Sequence, residues 1–158
     1  MTNKIILFHK IIATGFGAGY FPVAPGTVGA LLGVGIWSVI ALFFSSVNLL
    51  IITLGLIIVF TGLGIVSSNQ LIPIWGEDPS RIVIDETVGV WIPLLAVTSF
   101  DICFVIAAFV LFRLFDIFKP LGIRKMEALK GGVGIMMDDI LAGFYSLLVI
   151  FIIKWLIG

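Results

Sequence analysis

The sequence specifies an all-α integral membrane protein with about four to five transmembrane or re-entrant helices and its polar loops gathered on the cytoplasmic face. Of its 158 residues, 61% are hydrophobic and 11% charged, against roughly 45–50% and 25% in an ordinary soluble domain. Residues 11–76 hold no acidic or basic side chain, a run too long for one membrane span and one that no water-soluble fold of this size needs. Lys and Arg also fall unevenly between alternate loops, following the bias of cytoplasmic loops toward positive charge. Without a linker or low-complexity tail, residues 1–158 read as a single membrane-embedded domain.

A span needs about 20 residues, at about 1.5 Å rise each, to cross a hydrocarbon core about 30 Å thick. Residues 5–8 are too short for the apolar core of a cleavable signal before His9 and Lys10 interrupt them. Cutting the uncharged run at Ser45, Ser46 and Asn48 gives spans at 28–44 and 49–66. Segment 87–100 is short and interrupted by Pro93, while 102–118 carries Arg113 and Asp116 near its end; together they read as a hairpin turning at Ser99 and Asp101. The last span is 140–157, with Lys154 placed to snorkel toward the far surface. With the N-terminus inside, Lys4, Lys10, Arg81, Lys119, Arg124, Lys125 and Lys130 are cytoplasmic and only Lys154 is outside. Segments 10–27, 77–86 and 113–139 then share one face.

Composition excludes several functions. Nine Lys or Arg balance nine Asp or Glu without a long basic run, so nucleic acid is not an expected partner. A lone Cys103 supports neither an intramolecular disulfide nor a Cys-based zinc site, and a lone His9 makes no metal cluster.

Three polar islands carry the candidate chemistry. The first joins Thr14, Gly15 and Gly17 to Pro25-Gly26-Thr27 and Gly29. Glycines let a backbone approach an anion, and successive amides or a helix N-terminus can hold phosphate; the same residues also suit a flexible interfacial turn with small side chains for packing. The second is Asp85-Glu86 at the mouth of the third apolar segment. A charge there costs roughly 2.5 kcal/mol or more, which a divalent cation would offset, although acidic residues also cap helix N-termini. The third runs from Arg113, Asp116 and Lys119, whose three-residue spacing fits a salt-linked helical stripe, through Arg124 to Asp138-Asp139, a second carboxylate pair just before a span. Two such pairs on one face are harder to explain as caps. Hard oxygen ligands, no usable His or Cys, and flanking cations suit Mg2+ acting on a phosphate ester.

No Cys-x5-Arg loop, histidine nucleophile site, Asp-x-Asp-x-Thr motif, Walker loop or CDP-alcohol transferase pattern is present, which leaves metal-assisted displacement. Two other classes stand beside it. A small membrane cation transporter would also use intramembrane carboxylates and a broken helix, but these carboxylates lie at span ends among basic residues. A noncatalytic membrane subunit could carry interfacial charge pairs.

The ordered blocks 13–19, Pro25-Gly26-Thr27-x-Gly29, Asp85-Glu86-x-x-Gly89, Phe112-Arg113-x-Phe115-Asp116-x-x-Lys119-Pro120 and Gly131-Gly132-x-Gly134-Ile135-Met136-x-Asp138-Asp139 with Ala142-Gly143 resemble the bacterial phosphatidylglycerophosphatase A family. Leu121-Gly122 departs from that pattern, in which proline is frequent. The resemblance implies a multi-pass enzyme of the bacterial cytoplasmic (inner) membrane that uses Mg2+ to remove the terminal phosphate of phosphatidylglycerophosphate on the cytoplasmic side, giving phosphatidylglycerol and inorganic phosphate. In that reading Asp85, Glu86, Asp138 and Asp139 ligate Mg2+, and Asp116 is a further ligand or orienter. Arg113, Lys119 and Arg124 hold the phosphate, with Thr14, Gly15, Gly17, Gly26 and Thr27 contributing from the glycine-rich island. Asp138, Asp139 and Asp116 are the candidate catalytic residues. A metal-activated water is the expected nucleophile, with one carboxylate off the metal taking its proton; an aspartyl-phosphate on Asp138 or Asp139 is the alternative route. Oligomeric state is not encoded legibly.

Overall fold

The computed structural model describes residues 3–76 and 79–157. They form six α-helices: α1 (Asn3–Ala13), α2 (Pro25–Phe43), α3 (Ser46–Trp75), α4 (Ile84–Leu94), α5 (Ile102–Phe118) and α6 (Gly132–Ile157), with short 3-10 turns at Ala18–Tyr20 and Ile123–Ala128. No strand occurs among the described residues.

Three helices, α2, α3 and α6, are long and apolar enough to cross a membrane, fewer than the four to five elements expected. Helix α4 has 11 residues, about 16 Å of rise, so it cannot cross alone. Helix α5 has 17, just under the usual length of about 20. The reason lies partly in Pro93, which has no N–H to continue the helical ladder; α4 ends one residue later, and consecutive turn bonds at Leu95, Ala96 and Val97 carry the chain onward.

That turn still reaches the far end of the bundle. Ser46 N, at the start of α3, donates to Thr98 O, and Lys154 Nζ, near the end of α6, donates to Ala96 O at 2.8 Å. Lys154 also sits 5.1 Å from the centre of the Phe104 ring. The expected snorkelling lysine is therefore a clasp across the hairpin turn. Since chain direction alternates, the N-terminal ends of α2, α4 and α6 meet the C-terminal ends of α3 and α5 at the opposite end.

Local signals account for several helix ends. Pro25 opens α2, where its missing N–H costs nothing. The Asp101 side chain accepts from Cys103 N at 2.9 Å and Phe104 N at 3.3 Å to cap α5. Helix α6 is capped from a distance, because Asn69 Oδ1 on α3 accepts from Gly132 N at 2.7 Å.

Helix α4 is the centre of the fold. Every residue from Thr87 to Leu94 is buried, packed by α2, α3, α5 and α6. Close approach depends on small residues: a Cβ on Gly89 would lie 2.5 Å from the Phe112 ring and 2.9 Å from the Asp139 carbonyl oxygen. Two bonds tie α4 to α2, Thr87 Oγ1 to Gly29 O at 3.0 Å and Trp91 Nε1 to Gly33 O at 2.8 Å. Exposed apolar side chains such as Phe43, Ile58, Phe151 and Trp155 line the outer faces, as lipid contact requires.

Candidate metal and phosphate site

The convergence of helix ends brings the acidic residues together. Both pairs lie within a helix, one in the first turn and one in the second or third, whereas the sequence placed them just ahead of a span. Helix α4 begins at Ile84, so Asp85 and Glu86 fall in its first turn; α6 begins at Gly132, ahead of Asp138 and Asp139. Asp138 and Asp139 are buried, and Asp85 and Glu86 are half-buried.

Asp85, Glu86 and Asp139 each offer one carboxylate oxygen, all within 4.8 Å of one another. Asp85 Oδ1 and Glu86 Oε2 are buried with no hydrogen-bond partner. Burying ionised carboxylates without partners costs several kcal/mol each, a cost that a bound cation removes. The donor set is all oxygen, as a hard divalent cation prefers. These three residues can therefore hold a metal ion.

Asp138 lies apart from that set. Its Oδ2 accepts from Lys119 Nζ at 2.6 Å and its Oδ1 accepts from Asp139 N at 3.0 Å. Lys119 Nζ also donates to Glu127 Oε1 at 2.7 Å. Burial works against the charged lysine, but the bonds to Asp138 and Glu127 outweigh it and hold the ammonium pKa above the ordinary lysine range. Lys119 terminates α5 in the left-handed conformation, φ 45°, which swings its stem from the helix toward α6.

Arg113 and Asp116, three apart on α5, form an ion pair, and Arg113 Nε is buried without a partner. Both lie within electrostatic range of Glu86. Arg124 is exposed on the Ile123–Ala128 turn.

The glycine-rich island divides. Thr14 is buried; its hydroxyl donates to Lys10 O at 2.7 Å and accepts from Gly17 N at 3.1 Å. Gly15 N donates to Ile12 O at 3.1 Å, and Ala13 O accepts from Val83 N at 2.9 Å. The amides of Gly15 and Gly17 are thus engaged within the loop, which anchors the start of α4. Gly26 and Thr27, by contrast, open α2 without a side-chain cap. A Cβ on Gly26 would overlap Glu86 Oε1, so only glycine lets the α2 N-terminus approach the carboxylate cluster. Glu127 and Asn69 had no sequence signal: both act through partners eight or more residues away.

Fold and site together define a membrane-embedded helical protein with a cluster of carboxylates able to hold a metal ion and basic side chains nearby. Over residues 11–154 the chain matches the family described as phosphatidylglycerophosphatase A. It belongs to that family. It is 57% identical over 150 residues to a Bacteroides thetaiotaomicron protein named "Putative phosphatidylinositol-3-phosphatase", covering 94% of each chain. It is 42% identical over 157 residues to phosphatidylglycerophosphatase A of Haemophilus influenzae, covering 97% of this chain and 94% of the relative. With phosphatidylglycerophosphatase A of Escherichia coli K12 it shares 36% identity over 152 residues, covering 94% and 86%. No solved structure matches. Family membership supports hydrolase activity of the lipid-phosphatase type and implies a phospholipid substrate.

Proposed function

We propose that this protein is a Mg2+-dependent phosphatase that removes the terminal phosphate of phosphatidylglycerophosphate, releasing phosphatidylglycerol and inorganic phosphate. The observation that carries the reading is the Asp85, Glu86 and Asp139 cluster, with two buried and unpartnered carboxylate oxygens, beside Arg113 and Lys119. Asp85, Glu86 and Asp139 would hold the ion. When bound, Mg2+ supplies positive charge to the phosphoryl oxygens and makes a coordinated water more acidic.

The chain's own groups do the rest. Arg113, Lys119 and Arg124 neutralise the phosphate, and the uncapped amides at Gly26 and Thr27 offer donors to its oxygens. Thr14, Gly15 and Gly17 act by fixing the loop that positions α4. Asp116 orients Arg113 through their ion pair. Asp138, outside the carboxylate cluster, accepts the proton of the attacking water as the P–O bond to glycerol breaks; the departing alkoxide is protonated from solvent.

The site faces the cytoplasm in this reading, within a bacterial inner membrane. The support is the charge bias: Lys10, Arg81, Lys119, Arg124, Lys125 and Lys130 fall in segments at the site end, and Lys154 clasps the other. A second headgroup, phosphatidylinositol 3-phosphate, is favoured by the name given to the Bacteroides relative.

Phosphate release by detergent-purified protein tests this, with phosphatidylglycerophosphate, phosphatidylinositol 3-phosphate and phosphatidic acid compared in Mg2+ and in EDTA. Fastest release from phosphatidylglycerophosphate, stopped by EDTA and restored by Mg2+, is expected. Fastest release from the inositol lipid reassigns the headgroup. Release by folded protein that ignores EDTA contradicts the metal role, and no release from any lipid contradicts the reading.

A further inference from the structure

A cavity of about 410 Å³ opens beside Asp138, between the C-terminal part of α3 and the segment leading into α6. Its volume falls in the range of about 300–1,000 Å³ usual for small-molecule sites. Asp138 forms part of its wall and stands next to Asp139. Glu127 and Lys130 supply the other charged lining, and Ile72, Leu129 and Ile135 an apolar side. The charge of Glu127 is answered by Lys119 at 2.7 Å, whereas Lys130 makes no ion pair among the described residues. An open cleft with a cation that has no ion-pair partner among the described residues, an apolar side and Asp138 in its wall fits an anionic group attached to something apolar.

From this arrangement we infer that the cavity is a subsite for the phosphodiester of the lipid headgroup, and that Lys130 selects substrates carrying a second phosphate one polyol away from the phosphate being removed. The inference rests on the lipid-phosphatase reading and deepens it. Phosphatidylglycerophosphate and phosphatidylinositol 3-phosphate share this chemistry, a phosphomonoester on a polyol joined through a phosphodiester to diacylglycerol. Phosphatidic acid lacks it, because its single phosphate is attached directly to diacylglycerol. With the terminal phosphate at Arg113 and Lys119, the diester reaches Lys130, polyol hydroxyls meet Glu127, and the acyl side leaves past Ile72, Leu129 and Ile135.

The test measures kcat/KM for phosphatidylglycerophosphate and phosphatidic acid on the same samples of wild type, Lys130→Gln, Lys130→Met and Lys130→Arg, so that loss of folded protein cancels in the ratio. Preference for phosphatidylglycerophosphate falls roughly ten- to a hundredfold in the Gln and Met variants, the usual effect of losing a charge-assisted contact, and is largely retained by Arg. Glycerophosphoglycerol, which carries the diester but no monoester, gives the same readout where phosphatidic acid is not turned over: as a competitive inhibitor its inhibition constant rises by that factor in the Gln and Met variants. An unchanged ratio and an unchanged inhibition constant overturn the inference while leaving the phosphatase reading intact. No phosphate release from any lipid by folded wild type overturns both.

Discussion

Asp138 and Asp139 are adjacent in sequence but answer to different neighbours. On a helix, successive side chains point about 100° apart, so Asp139 turns to Asp85 and Glu86 while Asp138 turns to Lys119. The two carboxylates are therefore not interchangeable. Asp139→Asn removes turnover at ordinary Mg2+ and shifts the Mg2+ requirement upward by at least about tenfold, while the protein still folds. Asp138→Asn lowers kcat by roughly a hundredfold or more, as loss of a general base does, without moving the Mg2+ requirement. Initial rates measured across Mg2+ concentrations separate the two, and equal shifts for both variants contradict the assignment. The residue types were legible in the sequence because carboxylates in so apolar a chain need a partner. Which carboxylate faces the lysine was not, because Lys119 and Asp138 are 19 residues apart and meet only through the packing of α5 on α6.

At the scale of elements, apolar runs located the helices better than polar residues located their ends. The sequence places a segment at 102–118, and α5 is Ile102–Phe118; it places another at 28–44, and α2 is Pro25–Phe43. Helix α3 instead runs past 66 to Trp75, through Ser67, Ser68, Asn69 and Gln70. Polar side chains at an emerging helix end do not stop it when tertiary partners take them. Ser67 Oγ lies 3.1 Å from His9 Nδ1, and Asn69 caps α6. Helix α6 likewise begins at Gly132, eight residues before the expected start, so Asp138 and Asp139 ride inside a helix. The short α4 follows from Pro93, whose presence was visible in the sequence. That α4 would be the buried centre of the bundle was not, since burial is set by the four helices around it.

The whole molecule is an alternating bundle with the carboxylate cluster at one end and a clasp at the other. The proposed cytoplasmic orientation gives a direct expectation for thiol labelling in a Cys103→Ser background. Ser99→Cys, in the exposed turn at the clasp end, reacts with a membrane-impermeant maleimide in intact spheroplasts; Leu121→Cys, exposed at the site end, reacts only after permeabilisation. The reverse pattern contradicts a cytoplasmic site. The proposed function depends on two helices delivering oxygens to one point, Asp85 and Glu86 on α4 and Asp139 on α6, at the mouth of a third, α2, where Gly26 makes room. The most direct measurement is calorimetric titration of Mg2+, with Mn2+ in parallel, into detergent-purified wild type, Asp85→Asn and Asp139→Asn proteins of matched thermal stability. Saturable binding by wild type, weakened by at least about tenfold in both variants, is the predicted result. Binding of equal strength in all three proteins, or none in a folded and active wild type, would contradict the account.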